Sequence, residues 1–137
     1  MEWTRGEFTI STDPELLDVD VIHDYLSRSY WAAERTREVI QRSIQNSLNF
    51  GVYHKNRQVG FARAVTDYAT FYWLADVFIL EKYRGQGLGK FLVETVTGHP
   101  ELFGLTGLLA TRDAQGLYIK YGFSCPEDPK RLMWTRG

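Results

Sequence analysis

An apolar run that breaks into three alternate glycines and then turns helical limits what this chain can fold into. From Phe71 to Leu80 the residues are apolar on both alternating faces and rich in aromatic and branched side chains, and Asp76 is the one charge among them. That composition predicts a strand buried on both sides and central in its sheet. Leu88, Phe91, Leu92, Thr95 and Val96 then fall at i, i+3, i+4, i+7 and i+8, the stripe of a helix laid on a sheet, until Gly98 and Pro100 stop it. Gly85, Gly87 and Gly89 therefore stand at a helix entrance. With every second side chain removed, backbone N–H groups can close on an anion while the helix N-terminus adds partial positive charge, so the place suits a phosphate or pyrophosphate.

Two familiar glycine loops fail on spacing. A Walker loop requires four residues between its first Gly and Gly-Lys, then Ser or Thr; Gly85 and Gly89 enclose three, and Phe91 follows Lys90. The dinucleotide fingerprint requires Gly-x-Gly-x-x-Gly, yet Gly85-x-Gly87 runs into Lys90 and Gly87-x-Gly89 into Leu92. What remains is Arg84-x-x-Gly87-x-Gly89, with Ala114-Gln115-Gly116-Leu117-Tyr118-Ile119-Lys120-Tyr121-Gly122-Phe123 downstream. The first resembles the coenzyme A pyrophosphate loop, Arg/Gln-x-x-Gly-x-Gly/Ala, of the GNAT superfamily of N-acetyltransferases. The second resembles that family's Ala-x-x-Leu-Tyr-x-Lys-x-Gly-Phe segment. The resemblance implies acetyl-CoA as acetyl-donor cosubstrate, held by Arg84, Gly85, Gln86, Gly87, Leu88, Gly89 and Lys90.

A chain of 137 residues is expected to form one domain, residues 1–137, large enough for a real core. A net charge of −1 with 44% hydrophobic residues is ordinary for a soluble protein and argues against a nucleic-acid partner. Cys125 is the only cysteine, so no internal disulfide is possible. Neither a secretory segment nor an apolar run long enough to span a bilayer is present, so the expectation is cytoplasmic, with no membrane partner. His23, His54 and His99 are isolated, which argues against a metal. The chain is expected to be a monomer or homodimer.

Taken in order, Phe8 to Ser11 reads as a short strand and Asp13-Pro14-Glu15 as a turn or helix start. Val21, Ile22, Tyr25 and Leu26 predict a first helix capped by Asp18 or Asp20, and Thr36 caps a second that carries Val39, Ile40 and Ile44. Phe50–His54 and Val59–Thr66 flank the polar turn at 55–58 and predict a hairpin. A turn near Asp67-Tyr68 returns the chain to the central strand. Leu105 to Thr111 reads as a strand parallel to it, Asp113 as the cap of a last helix and Leu132–Thr135 as an edge strand. The resulting order, β-α-α-β-β-β-α-β-α-β, is that of the mixed α/β sheet of the GNAT fold.

Acetyl transfer to an amine requires stabilisation of a carbonyl oxygen that turns negative, a proton for the departing thiolate and an amine in its neutral form. The resemblance puts the oxyanion donor and the pantetheine contacts on the backbone of Val77, Phe78 and Ile79. It gives Tyr118 the role of general acid, whereas the residue by itself also fits a core tyrosine on an inward helix face. Thr111 stands where the family often has a cofactor-contacting Asn. Asp76 is the candidate base: burial would raise its pKa unless an ion pair, such as one with Arg63, prevents it. A water chain is the family's alternative to a fixed base. Tyr30, Trp31 and Glu34 either border the acceptor pocket, as the resemblance implies, or, for the two aromatics, seal the core. The expected function is transfer of an acetyl group to a primary amine, of a small molecule or a protein, in a ternary complex. The alternative is a non-catalytic acyl-CoA-binding module on the same fold.

Overall fold

The structure, a computed structural model, describes residues 1–136; Gly137 lies outside them. Its elements are β1 (Glu2–Arg5), β2 (Phe8–Ser11), α1 (Val19–Ser27), α2 (Arg37–Gln45), β3 (Leu48–His54), β4 (Arg57–Thr66), β5 (Phe71–Ile79), α3 (Leu88–Gly98), β6 (Thr106–Leu108) and α4 (Gln115–Ile119). The strands form one mixed six-stranded sheet in sequence order. All neighbours are antiparallel except β5 and β6, which are parallel because α3 carries the chain back between them.

The local chemistry matches these elements. Asp18 accepts from the Asp20 and Val21 amides at the head of α1, and Thr36 accepts from the Val39 amide at the head of α2. Lys55 and Asn56, both at positive φ (51° and 67°), form the two-residue turn between β3 and β4. Along β4, Ala62 and Ala64 face a core completed by Phe50, Leu74 and the α3 residues Leu88, Phe91, Leu92 and Val96. Their neighbour Phe61 points the other way, into a second core with Phe78 and with Ile22, Leu26, Ile40 and Ile44 of α1 and α2.

The order departs from expectation at both ends. Glu2–Arg5 pairs with β2 as an additional first strand. Residues 132–135 make no strand; Leu132, Met133 and Trp134 are exposed, so no face of that segment is buried to favour pairing. β6 is confined to Thr106–Leu108, which meet only Phe71–Trp73 of β5.

β5 then bends. Between the pairs Phe61↔Phe78 and Arg63↔Ala75, one β4 residue, Ala62, opposes two on β5, Asp76 and Val77. Asp76 has φ 56°. A β-bulge of this kind bends its strand and increases the local twist.

Candidate active site

Beyond Trp73 and Leu108 no pairing joins β5 to β6, and a gap opens between two parallel strands. The Leu80 amide donates to the Val59 carbonyl at 2.8 Å, so residue 80 faces β4. Backbone direction alternates along a strand; Val77 and Ile79 therefore turn their N–H groups toward the gap, and Phe78 turns its own toward β4. The Ile79 carbonyl, on the gap side, accepts from Arg84 Nε at 3.1 Å. Of the three strand residues expected to offer backbone to the cosubstrate, Val77 and Ile79 have N–H groups free to do so, while the Ile79 carbonyl is engaged by Arg84. Phe78 instead contributes its ring, stacked on Tyr25 with centroids 4.1 Å apart.

The glycine loop follows. Gly85 and Gly87 have φ 83° and 84°, a conformation that residues with a Cβ rarely adopt. Gly87 is the N-cap of α3 and no side chain caps the helix. The first helical bond runs from the Phe91 amide to the Gly87 carbonyl, which leaves the amides of Leu88, Gly89 and Lys90 without helical partners. Nothing lies within 4 Å of where a Cβ would sit on Gly85 or Gly87. Open space, free amides and a helix dipole fit a pyrophosphate. The side chains contribute less than the pattern implied. Leu88 is buried in the core, Gln86 donates to the Tyr83 carbonyl, and Arg84 is held by the Ile79 carbonyl and the Tyr25 hydroxyl. Lys90 is exposed in the first turn.

Tyr118 is 7% exposed, its ring against Phe123 at 5.8 Å in an edge-on arrangement. Burial first, with smaller contributions from the neighbouring Tyr30 and the Asp113 carboxylate, pushes its phenol up to about 12. Asp113 is not the cap of α4: the Thr111 hydroxyl accepts from the Ala114 amide at 3.0 Å and organises the entrance to that helix instead. Thr111 thus has its oxygen engaged within the chain.

Asp76 is paired. Burial alone would raise its pKa, but the charges of Arg63 and Arg35 and their hydrogen bonds outweigh burial and hold the carboxyl below the usual range. Of the two readings open in the sequence, the ion pair with Arg63 is the one that holds, at 2.9 Å, and the carboxyl is lowered instead of raised. Arg63 was within sight in sequence; Arg35, 41 residues away in the segment between α1 and α2, was not.

That segment also carries the expected acceptor residues. Tyr30 is 54% exposed and Trp31 39% exposed, so neither seals the core; Ala32 between the helices does. The Tyr30 and Trp31 rings meet edge to face at 5.1 Å, and both line one surface pocket with Glu34 and Arg35. Among the described residues no group of His, Cys, Asp and Glu is placed to hold a metal, and no helix is long and apolar enough to cross a membrane.

A glycine loop at a helix entrance, beside two parallel strands that part, with a buried tyrosine on the following helix, is the layout of an acyl-coenzyme A-dependent acyltransferase. Comparison with known proteins narrows this. The family model described as "Acetyltransferase (GNAT) domain" matches residues 45–125. A Gibberella zeae protein named as a candidate acetyltransferase is 33% identical, over 86% of this chain and 79% of its own length. A crystal structure of a Xanthomonas campestris protein, described as a candidate acetyltransferase of the GNAT family, is 45% identical with a TM-score of 0.92, covering 98% of this chain and 96% of that one. The chain belongs to the GNAT family of acetyltransferases and is an acyltransferase enzyme. The same fold recurs in an Elizabethkingia anophelis GNAT family acetyltransferase with acetyl-CoA bound, at 17% identity and a TM-score of 0.68 over 90% of this chain and 80% of that one.

Proposed function

We propose that this protein moves an acetyl group from acetyl-CoA to a primary amine by direct attack in a ternary complex, in the gap between β5 and β6. The reading is supported by the unpaired amides of Val77 and Ile79 on the β6 side of β5, the uncapped α3 N-terminus that follows that strand, and Tyr118 buried on the helix that follows β6. The amides of Leu88, Gly89 and Lys90 would hold the pyrophosphate, with Gly85 and Gly87 giving the approach and Lys90 adding charge. Acetyl-CoA supplies the thioester carbon that the amine attacks.

The Val77 and Ile79 N–H groups are fixed by the strand before any charge develops, which is the arrangement that stabilises an oxyanion at least reorganisation cost. Tyr118 donates its proton to the sulfur as the carbon–sulfur bond breaks. Against a free thiol of pKa near 8.5, a phenol at about 12 would give up its proton uphill. The burial that raises the phenol raises a thiol in the same place as well, so donor and leaving group rise together. Asp76, ion-paired and held ionised, is a poor base near neutrality, and the amine loses its proton to water. Tyr30, Trp31 and Glu34 form the outer wall of the acceptor side, the Tyr30 and Trp31 rings presenting apolar faces and Glu34 a carboxylate for the incoming ammonium.

We read the chain as one cytoplasmic domain, a monomer or homodimer, without a nucleic-acid partner. The test is incubation of the protein with acetyl-CoA and a panel of small amines and peptides, following free thiol and acetylated product together. Stoichiometric appearance of both with at least one amine supports the reading; acetyl-CoA binding without transfer to any acceptor would make the protein a binding module.

A further inference from the structure

Asp76 joins the bulge of β5 to the segment between α1 and α2. Its backbone, at φ 56°, makes the bulge after which Val77 faces the gap. Asp and Asn are among the few residues with a side chain that accept this left-handed conformation. Its carboxylate, 2% exposed, receives four hydrogen bonds. Oδ1 accepts from Trp31 Nε1 at 3.1 Å and from Arg35 Nη1 at 2.8 Å; Oδ2 accepts from Arg35 Nη1 at 2.9 Å and Arg63 Nε at 2.9 Å. Three donor nitrogens, one of them shared between both oxygens, thus crowd the carboxylate and leave it poorly placed to take a proton from an amine. Arg63 extends the network to the Ser47 hydroxyl at 3.2 Å, ahead of β3.

We propose that Asp76 is a positioning residue: one carboxylate clamps Trp31 and Arg35, and with them the acceptor wall, onto the same bulge that aims the Val77 amide into the gap. Acceptor placement and oxyanion stabilisation are then set by a single ion-paired joint. The inference rests on the reading of the gap as the site of acetyl transfer. Within that reading it assigns Asp76 a role other than the base, and makes Arg35 and Trp31 specificity-determining through their hold on the loop.

The test uses Asp76→Asn, which keeps the size and the tolerance for positive φ but loses the charge and one acceptor oxygen. Hydrogen exchange of the segment 28–36 is expected to accelerate while α3 and β3 keep their protection. Amine KM is expected to rise about tenfold or more, the scale of a lost hydrogen bond to a charged group, with acetyl-CoA affinity within about twofold and the shape of the pH–rate profile unchanged. Trp31→Phe and Arg35→Gln should each lower kcat/KM for the amine in the wild-type background and add little in the Asp76→Asn background, because all three act through one carboxylate. If Asp76→Asn lowers kcat about 100-fold or more at every pH while exchange of segment 28–36 and amine KM are unchanged, Asp76 touches the reacting atoms and the clamp is wrong. Fully multiplicative losses would also overturn it. Should Asp76→Asn fail to fold, Trp31→Phe and Arg35→Gln combined decide: a joint loss smaller than the product supports the clamp, and a product contradicts it. The exchange measurement needs no turnover, so a wild-type protein that acetylates nothing would refute the functional reading while still deciding the clamp.

Discussion

The Arg112 amide donates to the Tyr30 hydroxyl at 3.3 Å, and the Arg112 guanidinium lies 3.8 Å from the centre of the Tyr30 ring. This contact joins the segment after α1 to the segment before α4, 82 residues apart, beside the buried Tyr118. It ties the proposed acceptor wall to the entrance of α4, which carries the proposed proton donor Tyr118. Tyr30→Phe keeps the ring under the guanidinium and loses only the hydroxyl; Tyr30→Ala loses both. An exposed cation–π contact is worth about 0.5–1 kcal/mol, so Tyr30→Ala should raise amine KM about two- to fivefold, beyond the effect of Tyr30→Phe. Steady-state kinetics with each substrate varied checks this, and an equal rise in KM for acetyl-CoA would place Tyr30 on the donor side instead.

Gly87 carries a second expectation. At φ 84° a β-branched side chain is strained by about 1–2 kcal/mol, and the side chain would project into the space beside the free amides of α3. Gly87→Val should therefore weaken acetyl-CoA about 10- to 100-fold, the scale of lost hydrogen bonds to a charged group, and lower Tm by a few degrees. Calorimetry with acetyl-CoA on the folded variant is the check. Unchanged affinity would remove the loop from the binding site.

A third concerns stability and pH, away from the gap. His99 is buried beside Trp3 and Phe50, and its Nδ1 accepts from the Glu101 amide at 3.0 Å, which requires that nitrogen unprotonated. Burial, partly countered by the charge of Glu101, lowers its pKa below 6.5. The unfolded chain then binds a proton that the folded chain refuses, so this stabilisation is complete above pH 6.5 and is lost as pH falls toward the lowered value. Wild type should lose Tm between about pH 7 and pH 5, and His99→Asn, which keeps an acceptor oxygen but does not titrate, should lose less. Parallel Tm curves for the two proteins would contradict this.

Much of this was legible in the sequence because it is written locally. The glycine loop, the α3 stripe, the cap Thr36, an acidic cap at Asp18 or Asp20 and a polar turn within 55–58 each depend on residues a few positions apart; Asp18 is the cap that forms, and the turn closes on Lys55 and Asn56 alone. What escaped depends on distant partners. Glu2–Arg5 has no apolar alternation and becomes a strand through pairing with β2. The bulge at Asp76 arises where β4 and β5 fall out of register, and the charge state of Asp76 reflects Arg35 from another element. Thr111 in place of Asp113 at the entrance to α4 is a choice between two plausible polar residues that only the turn geometry makes.

The most direct test of acetyl transfer in this gap is amine-dependent thiol release by Tyr118→Phe beside wild type. The phenol, at about 12, stays protonated throughout the working range, so wild-type kcat should show no descending limb from this group up to about pH 10. Removing the hydroxyl should cost about 10²–10⁴-fold in kcat, while acetyl-CoA affinity and Tm change little. A variant that releases thiol at the wild-type rate would contradict the account, leaving Tyr118 as core packing and the sulfur protonated by another group or by water.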